Sequence, residues 1–106
     1  MIGPEKMGFW SKSRNLFKGN THQFFHSSKW YRVIKGFKDH DGHIHPEGEE
    51  RIFLGCSFLP YDDGLSWFVS FDEKQEWCIP MRRHASSQSV IIDFLSEHIC
   101  PVILSA

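Results

Sequence analysis

The sequence lacks several features that would each indicate a class of protein. It has no glycine-rich phosphate-binding loop, no cysteine pair in CxxC spacing and no apolar run near the roughly 20 residues of a membrane-spanning helix. Residues 1–15 also lack the apolar middle of a secretory signal. We therefore expect a cytoplasmic protein without a membrane span and without a nucleotide site of the common types.

The three cysteines argue against a disulfide framework. Cys56, Cys78 and Cys100 are an odd number, and each lies in an apolar run, where a thiol behaves as a small hydrophobic side chain. A thiol hydrolase would require Cys56 to meet His84 or His98 in space. Cys56 falls inside a predicted strand and not at a helix start, where a thiolate is stabilised, so the sequence favours a protein without enzymatic activity.

Aromatic residues are what the chain has in excess. Its 106 residues include ten Phe and four Trp, with 41% hydrophobic and 15% aromatic residues. A chain of this length buries one modest core, and this composition is too apolar for a disordered chain. We expect a small β-rich body whose interior is filled by rings.

The charge is unevenly distributed along the chain. Residues 1–38 contain eight basic residues and only Glu5 as an acid, whereas residues 39–106 contain four basic and twelve acidic residues. A basic segment with interleaved aromatic residues could follow a phosphate backbone. The sequence pI of about 6.6 argues against a dedicated nucleic-acid binder, so we expect this segment to lie on the acidic body of its own chain.

Alternating apolar residues predict strands over 30–37, 51–59, 65–71 and 76–81, after an irregular extension of residues 1–28. Gly55, in the middle of the second strand, predicts a bulge. Short links between the strands predict an antiparallel meander over residues 29–106, a single domain that curls into an SH3-like half-open barrel of four or five strands. A flat α+β sheet with one covering helix is the alternative.

A helix is predicted after the last strand. Its apolar residues recur at helical spacing and should face the core, with one of three serines at the start and Cys100-Pro101 at the end. The residues expected to face inward are Val90, Ile91, Phe94, Leu95, His98 and Ile99.

The most specific pattern in the chain lies in its centre. The segments YRVIKGFKDHDGHIHPEGE, FLG and FLPYDDGLSWFVS, followed by the helix SVIIDFL, resemble a family of small bacterial proteins catalogued only as a domain of unknown function. The resemblance covers residues 29–99, with the first 28 residues as an addition and Arg51 where an aromatic residue is usual. It implies the fold and a bacterial origin, but no activity, substrate or catalytic residue.

A histidine cluster is one candidate site. His40, His43 and His45 alternate with Asp39 and Asp41 in the loop before the second strand, and imidazole with carboxylate suits Zn²⁺ or Ni²⁺. The loop lacks the distant second pair of ligands that completes a structural zinc site. Asp41-Gly42 is also ordinary turn chemistry, so a solvated loop without a cofactor is the preferred interpretation.

An aromatic and acidic face is the other candidate site. We expect surplus aromatic side chains to be exposed beside the Asp-Asp-Gly turn and to contact a protein or peptide, most simply a basic one. The residues assigned to this face are Tyr61, Asp62, Asp63, Trp67 and Trp77. The leading hypothesis is a small intracellular protein-interaction module, of an immunity or antitoxin type by analogy of size and charge; the alternatives are the metal-binding loop and the thiol hydrolase.

Overall fold

A large antiparallel sheet with a short helical segment near the C-terminus dominates the computed structural model, which describes residues 1–12, 18–19, 21–59, 64–82 and 86–102. The first strands are β1 (Ile2–Lys6), β2 (Lys18–Gly19), β3 (Thr21–His22), β4 (Phe25–His26), β5 (Lys29–Val33), β6 (Phe37–Lys38) and β7 (Ile44–His45). They are followed by β8 (Glu50–Leu59), β9 (Gly64–Ser70), β10 (Gln75–Arg82), α1 (Ser86–Asp93), α2 (Leu95–His98) and β11 (Ile99–Pro101).

Six strands of the large sheet follow the order β1-β10-β9-β8-β5-β11, and the short β2 also pairs with β8. The strands β3 and β4 form one separate ribbon, and β6 and β7 form another. The predicted mainly β, antiparallel class with a C-terminal helix is confirmed. The sheet is not closed into a barrel, because β1 and β11 are its two edges in the part of the chain that the structure describes.

The central meander matches the sequence pattern closely. Strands β8, β9 and β10 lie within one or two residues of the predicted segments. The register between β8 and β9 shifts between Phe53 and Gly55, which confirms the bulge expected at Gly55. One face of this meander carries Phe53, Leu65 and Trp67, and the opposite face carries Phe68.

The core lies on the face that carries Trp67. The ring of Phe25, from β4, meets the Trp67 ring edge to face at 5.5 Å between centroids, and Trp67 Nε1 donates a hydrogen bond to His22 Nδ1 at 3.2 Å. The helices α1 and α2 cover the same face through Ile91, Ile92 and Leu95. The rings therefore fill the interior, as the composition predicted.

The N-terminal residues belong to the sheet, which corrects the expectation of an irregular extension. Strand β1 pairs with β10, and the following turn folds over the face of Phe68, where Trp10 stacks on that ring at 6.2 Å. The buried Glu76 carboxylate fixes this turn by accepting hydrogen bonds from the N–H groups of Gly8, Trp10 and Ser11 at 2.6–2.9 Å. Burial raises the pKa of Glu76, but these bonds outweigh it and lower that pKa.

The C-terminal helix differs from its prediction in two ways. It is interrupted at Phe94, whose backbone leaves the helical region with φ −118° and ψ 43°. Val90 and Phe94, which were expected to face the core, are exposed. Ile91, Leu95 and the predicted His98 are buried, together with Ile92. Residues 99–101 form the edge strand β11 against β5, where the sequence predicted the end of the helix.

Among the residues that the structure describes, no helix is long and apolar enough to cross a membrane.

Candidate functional site

The histidine loop is folded by its own aspartates. Asp39 Oδ1 accepts hydrogen bonds from the N–H groups of Asp41 at 2.9 Å and His43 at 3.1 Å, which closes the turn between β6 and β7. Gly42 has a φ of +87°, the conformation for which Asp-Gly is favoured. Residues 39–43 of the predicted cluster therefore form a turn that the Asp39 side chain stabilises.

His45 lies at the centre of a buried polar network. Its Nε2 lies 2.8 Å from Asp39 Oδ2, and its Nδ1 lies 2.8 Å from Arg51 Nη1. Because a carboxylate only accepts, Nε2 donates to Asp39, whereas Nδ1 lies between the Arg51 guanidinium, which only donates, and Glu49 Oε1, 3.2 Å away, which only accepts. The network thus surrounds both ring nitrogens with charged partners.

Arg51 closes the network on the other side. Its Nη1 also donates to Glu49 Oε1 at 2.8 Å, while the Phe37 ring stacks on His45 at 4.8 Å and lies 5.5 Å from the guanidinium carbon. Burial lowers the pKa of Arg51 to about 10, against the opposing effect of Glu49 and Asp39. Arg51 is therefore the buried cation beside the carboxylates of Asp39 and Glu49.

The two carboxylates are held in their charged forms. Burial raises the pKa of Asp39, but hydrogen bonds from His45 and from the amino group of Met1, 2.9 Å away, outweigh it and lower that pKa. Burial likewise raises the pKa of Glu49. The contact with His45 and the charge of Arg51 together outweigh burial and lower that pKa. Asp39, Glu49, His45 and Arg51, called here the ion network, are held by one another and by the amino group of Met1.

The structure brings together two of the three predicted metal ligands, since the ring centroids of His43 and His45 lie 5.0 Å apart. His40 and His43 are exposed, whereas His45 is fully buried with both ring nitrogens engaged by Asp39 and Arg51. Within the described ranges, no group of three or more His, Cys, Asp or Glu side chains is placed to hold a metal ion. A metal on all three histidines would have to break the ion network.

The predicted aromatic and acidic face is not assembled from the described residues. Tyr61, Asp62 and Asp63 lie outside them. Trp67 is only 1% exposed and belongs to the core, so its assignment to a surface is corrected. Trp77 is half-buried, with its ring 6.3 Å from that of Phe71. Trp67 points inward because its side of β9 faces the β3-β4 ribbon, a pairing that alternation alone does not reveal.

The thiol candidate is also internal. Cys56 is buried opposite Trp67 in the register of β8 and β9, and its Sγ lies 3.5 Å from the carbonyl oxygen of Thr21. His98 is buried in α2, where its Nδ1 lies 3.0 Å from the Phe94 carbonyl oxygen and donates to it. The alternative partner, His84, lies outside the described residues.

A concave groove lies at the start of β5. Its volume is about 480 Å³, within the range of small-ligand and peptide pockets. The turn from β4 to β5 shapes it through Ser28, whose φ is +68°. The lining residues are Phe24, His26, Ser28, Lys29, Trp30, Tyr31, Pro101 and Val102.

The hydroxyl group of Tyr31 fixes one wall of the groove. It accepts a hydrogen bond from the His26 N–H at 2.7 Å and donates one to the Phe24 carbonyl oxygen at 3.0 Å. The ring of Tyr31 is buried and packs edge to face on Phe25 at 4.7 Å. Tyr31 therefore joins this wall of the groove to the aromatic core.

The groove has a positive and aromatic character. Lys29 and His26 are exposed, Phe24 and Trp30 are half-buried, and none of the described lining residues is acidic. The neighbouring Arg32 is paired with Glu50 at 3.0 Å, whereas Lys29 has no ion pair within the described part of the chain. Phe24, His26 and Ser28 belong to residues 1–28, which the sequence predicted to be an irregular extension, whereas Lys29 and Trp30 begin the predicted domain.

Comparison with known proteins places the chain in a family. A family model described as Domain of unknown function (DUF3601) matches residues 9–100, so most of the supposed addition lies inside the family pattern. An integron cassette protein from the mobile metagenome of Vibrio cholerae is similar in structure, with a TM-score of 0.75 and 25% identity over 83% of this chain and 94% of that one. No curated protein is similar enough in sequence to count as a relative. The chain therefore belongs to the family described as Domain of unknown function (DUF3601).

Proposed function

We propose that this protein is a protein-interaction module that binds an acidic peptide segment in the groove at the start of β5. One observation carries the proposal: the groove combines half-buried rings with two exposed basic residues and contains no acid among its described lining residues. An intracellular location and an immunity or antitoxin role remain hypotheses from size and charge.

The chemistry of the groove matches one kind of ligand. An apolar or aromatic side chain of the partner would pack between Phe24 and Trp30, and aromatic contacts of this kind commonly supply most of the binding energy. A carboxylate next to it on the same peptide would meet the Lys29 ammonium, which no acid of the described chain neutralises. This partner is opposite in charge to the basic one expected for the turn at residues 61–63.

A peptide fits the groove better than a nucleic acid does. Binding of single-stranded nucleic acid uses a row of cations that follows several phosphates, with rings that stack on successive bases. Here Lys29 and His26 are the only basic side chains among the described lining residues, and the whole chain has a net charge of −1. One lysine beside an imidazole that can donate a hydrogen bond suits a single carboxylate better than a run of phosphates.

The proposal is tested by selection from a random peptide library displayed on phage, followed by binding measurements with the selected peptides. We expect peptides with an aromatic residue beside Asp or Glu to be enriched. Lys29→Glu should weaken their binding by about tenfold or more, because it places a negative charge against the peptide carboxylate. Lys38→Glu is the matched control, since Lys38 is exposed in β6 and does not line the groove.

Chemical-shift mapping locates the binding site. Addition of a selected peptide should shift the backbone amide signals of Phe24, Lys29 and Trp30. Enrichment of basic peptides, equal binding by the two variants, or binding of a single-stranded oligonucleotide in preference to the peptides would each overturn the proposal.

A further inference from the structure

A second concave site, called here the helix cavity, lies between the turn that joins β6 to β7 and the first turn of α1. Its volume is about 390 Å³, and it shares no lining residue with the groove at the start of β5. Its buried lining residues form a floor and its exposed ones form a rim. The floor consists of Asp39, Gln88 and Ile91, and the rim of Lys38, His40, Gly42 and Ser87.

Gln88, in the floor, has an acceptor without a donor. The residue is only 5% exposed, and its Nε2 donates a hydrogen bond to the Lys38 carbonyl oxygen at 2.8 Å. Because a carbonyl oxygen only accepts, this bond fixes which branch of the amide is nitrogen and which is oxygen. Among the residues that the structure describes, the buried Oε1 has no hydrogen-bond partner. An unsatisfied buried oxygen is unfavourable, so Gln88 indicates a ligand group that donates, such as a hydroxyl.

The other two floor residues have no comparable unpaired group. Both carboxylate oxygens of Asp39 are engaged: Oδ1 accepts from two N–H groups of its own turn, and Oδ2 contacts His45 and the amino group of Met1. Ile91 supplies apolar surface only. Within the described floor, the polar atom left for a ligand is therefore Gln88 Oε1.

The rim favours an anion. Lys38 and His40 are exposed, and neither forms an ion pair with a residue that the structure describes. Ser87 lies in the first turn of α1, where backbone N–H groups have no acceptor within the helix and carry a partial positive charge. A phosphate monoester, with a charge of about −1.5 to −2 and three terminal oxygens, can meet an ammonium, an imidazole and these N–H groups together.

We propose that the helix cavity binds a small sugar phosphate, with the phosphate at the rim and a sugar hydroxyl donating to Gln88 Oε1. A ligand with an anion at one end and hydroxyl groups at the other matches both the rim and the floor. None of the described lining residues is Phe, Tyr or Trp, so no such ring is present to stack on a base, and a sugar phosphate is favoured over a nucleotide. The site is independent of the peptide groove.

Titration of the full chain with ribose phosphorylated at its terminal carbon, called here ribose phosphate, tests the site by amide chemical shifts. We expect the backbone signals of His40 and Ser87 and the side-chain amide signals of Gln88 to shift, with a dissociation constant below about 1 mM. Ribose and inorganic phosphate should each bind about tenfold more weakly or less, because each lacks one of the two matching ends. Adenosine monophosphate should bind no more tightly than ribose phosphate.

Gln88→Met removes the acceptor and keeps a side chain of similar length. It should weaken the binding of ribose phosphate by about tenfold but leave that of inorganic phosphate within about twofold, because the rim is unchanged. Gln23→Met is the matched control, since Gln23 Nε2 donates in the same way to the Ile92 carbonyl oxygen at 2.7 Å but does not line the cavity. Lys38→Glu should weaken both ligands, because it reverses a charge of the rim.

A thermal melt of each variant confirms that it is folded. Three results would contradict the proposal: no shift of these signals in the wild type at about 10 mM ribose phosphate, equal affinity for inorganic phosphate, or wild-type affinity in Gln88→Met. Tighter binding of adenosine monophosphate would overturn the assignment of a sugar phosphate.

Discussion

Two polar regions of this molecule contain histidine and basic residues, and they differ in how those residues are satisfied. In the ion network, Arg51 and His45 are buried and each meets a carboxylate of the same chain. In the groove at β5, Lys29 and His26 are exposed and no described lining residue is acidic. The first region stabilises the fold, whereas the second leaves charge available to a ligand, so similar residue types serve different ends.

The largest effect should come from removing the cation of the ion network. We expect Arg51→Ala to lower the free energy of unfolding by about 3–5 kcal/mol, because it removes the buried counter-charge of Glu49 and leaves Asp39 with the amino group of Met1 as its counter-charge. Arg32→Ala, which breaks an exposed pair with Glu50, should cost only about 0–1 kcal/mol. Urea unfolding measures the free energy of unfolding of both variants. Equal losses would show that the buried arginine and the exposed one contribute equally to stability.

Acid should weaken the ion network next. The pKa values of Asp39 and Glu49 are lower in the folded protein than their ordinary values of 3.8 and 4.5. The unfolded chain therefore takes up protons first as the pH falls, and the free energy of unfolding decreases from about pH 5 downwards until the lowered folded-state pKa values are passed.

The double variant Asp39→Asn with Glu49→Gln should show a shallower decrease over the same pH range. Urea unfolding at a series of pH values supplies the slopes. A slope identical to that of the wild type would mean that the two carboxylates do not contribute to acid sensitivity.

A smaller effect is expected where the groove meets the core. Tyr31→Phe removes a hydroxyl that makes two backbone hydrogen bonds but keeps the ring on Phe25, so we expect a loss of about 1–2 kcal/mol in unfolding free energy. Binding of a selected acidic peptide should weaken as well, because the wall formed by Phe24 and His26 loses its anchor. Unchanged binding with unchanged stability would show that the hydroxyl does not shape the groove.

The smallest effect is expected from metal. Both ring nitrogens of His45 are engaged, so about 1 mM Zn²⁺ should shift the unfolding midpoint by little, and by the same amount in His43→Ala. A rise of several degrees that His43→Ala abolishes would instead support the metal site suggested by the sequence. Differential scanning calorimetry measures both.

Local patterns predicted the centre of the fold well. Alternation located β8, β9 and β10, and Gly55 marked the bulge, because these features depend on residues close in sequence. The strands β1 and β11 were missed, since Ile2–Lys6 and Ile99–Pro101 have no alternating pattern and become strands only through pairing with β10 and β5. An edge strand of this kind is defined by its neighbour.

The candidate site was harder to predict than the fold. Trp67 and His45 were assigned to surfaces, yet both are buried, because the β3-β4 ribbon and Arg51 supply a hydrogen-bonding partner to each ring. Phe94 was assigned to the core, yet it is exposed at the interruption between α1 and α2. Side-chain burial at these positions depends on contacts between segments distant in sequence.

The sequence by itself determined a β-rich chain with an aromatic interior, a bulged central meander and a helix near the C-terminus. These follow from residue types and their periodicity, which act over a few residues. Only the tertiary structure decided that the sheet stays open and that His45 is enclosed by Asp39 and Arg51. It also decided that Lys29, beside Trp30, meets no acid among the residues that the structure describes. Such outcomes depend on contacts between groups that are distant in sequence, because these contacts determine the free energy of a buried or exposed charge.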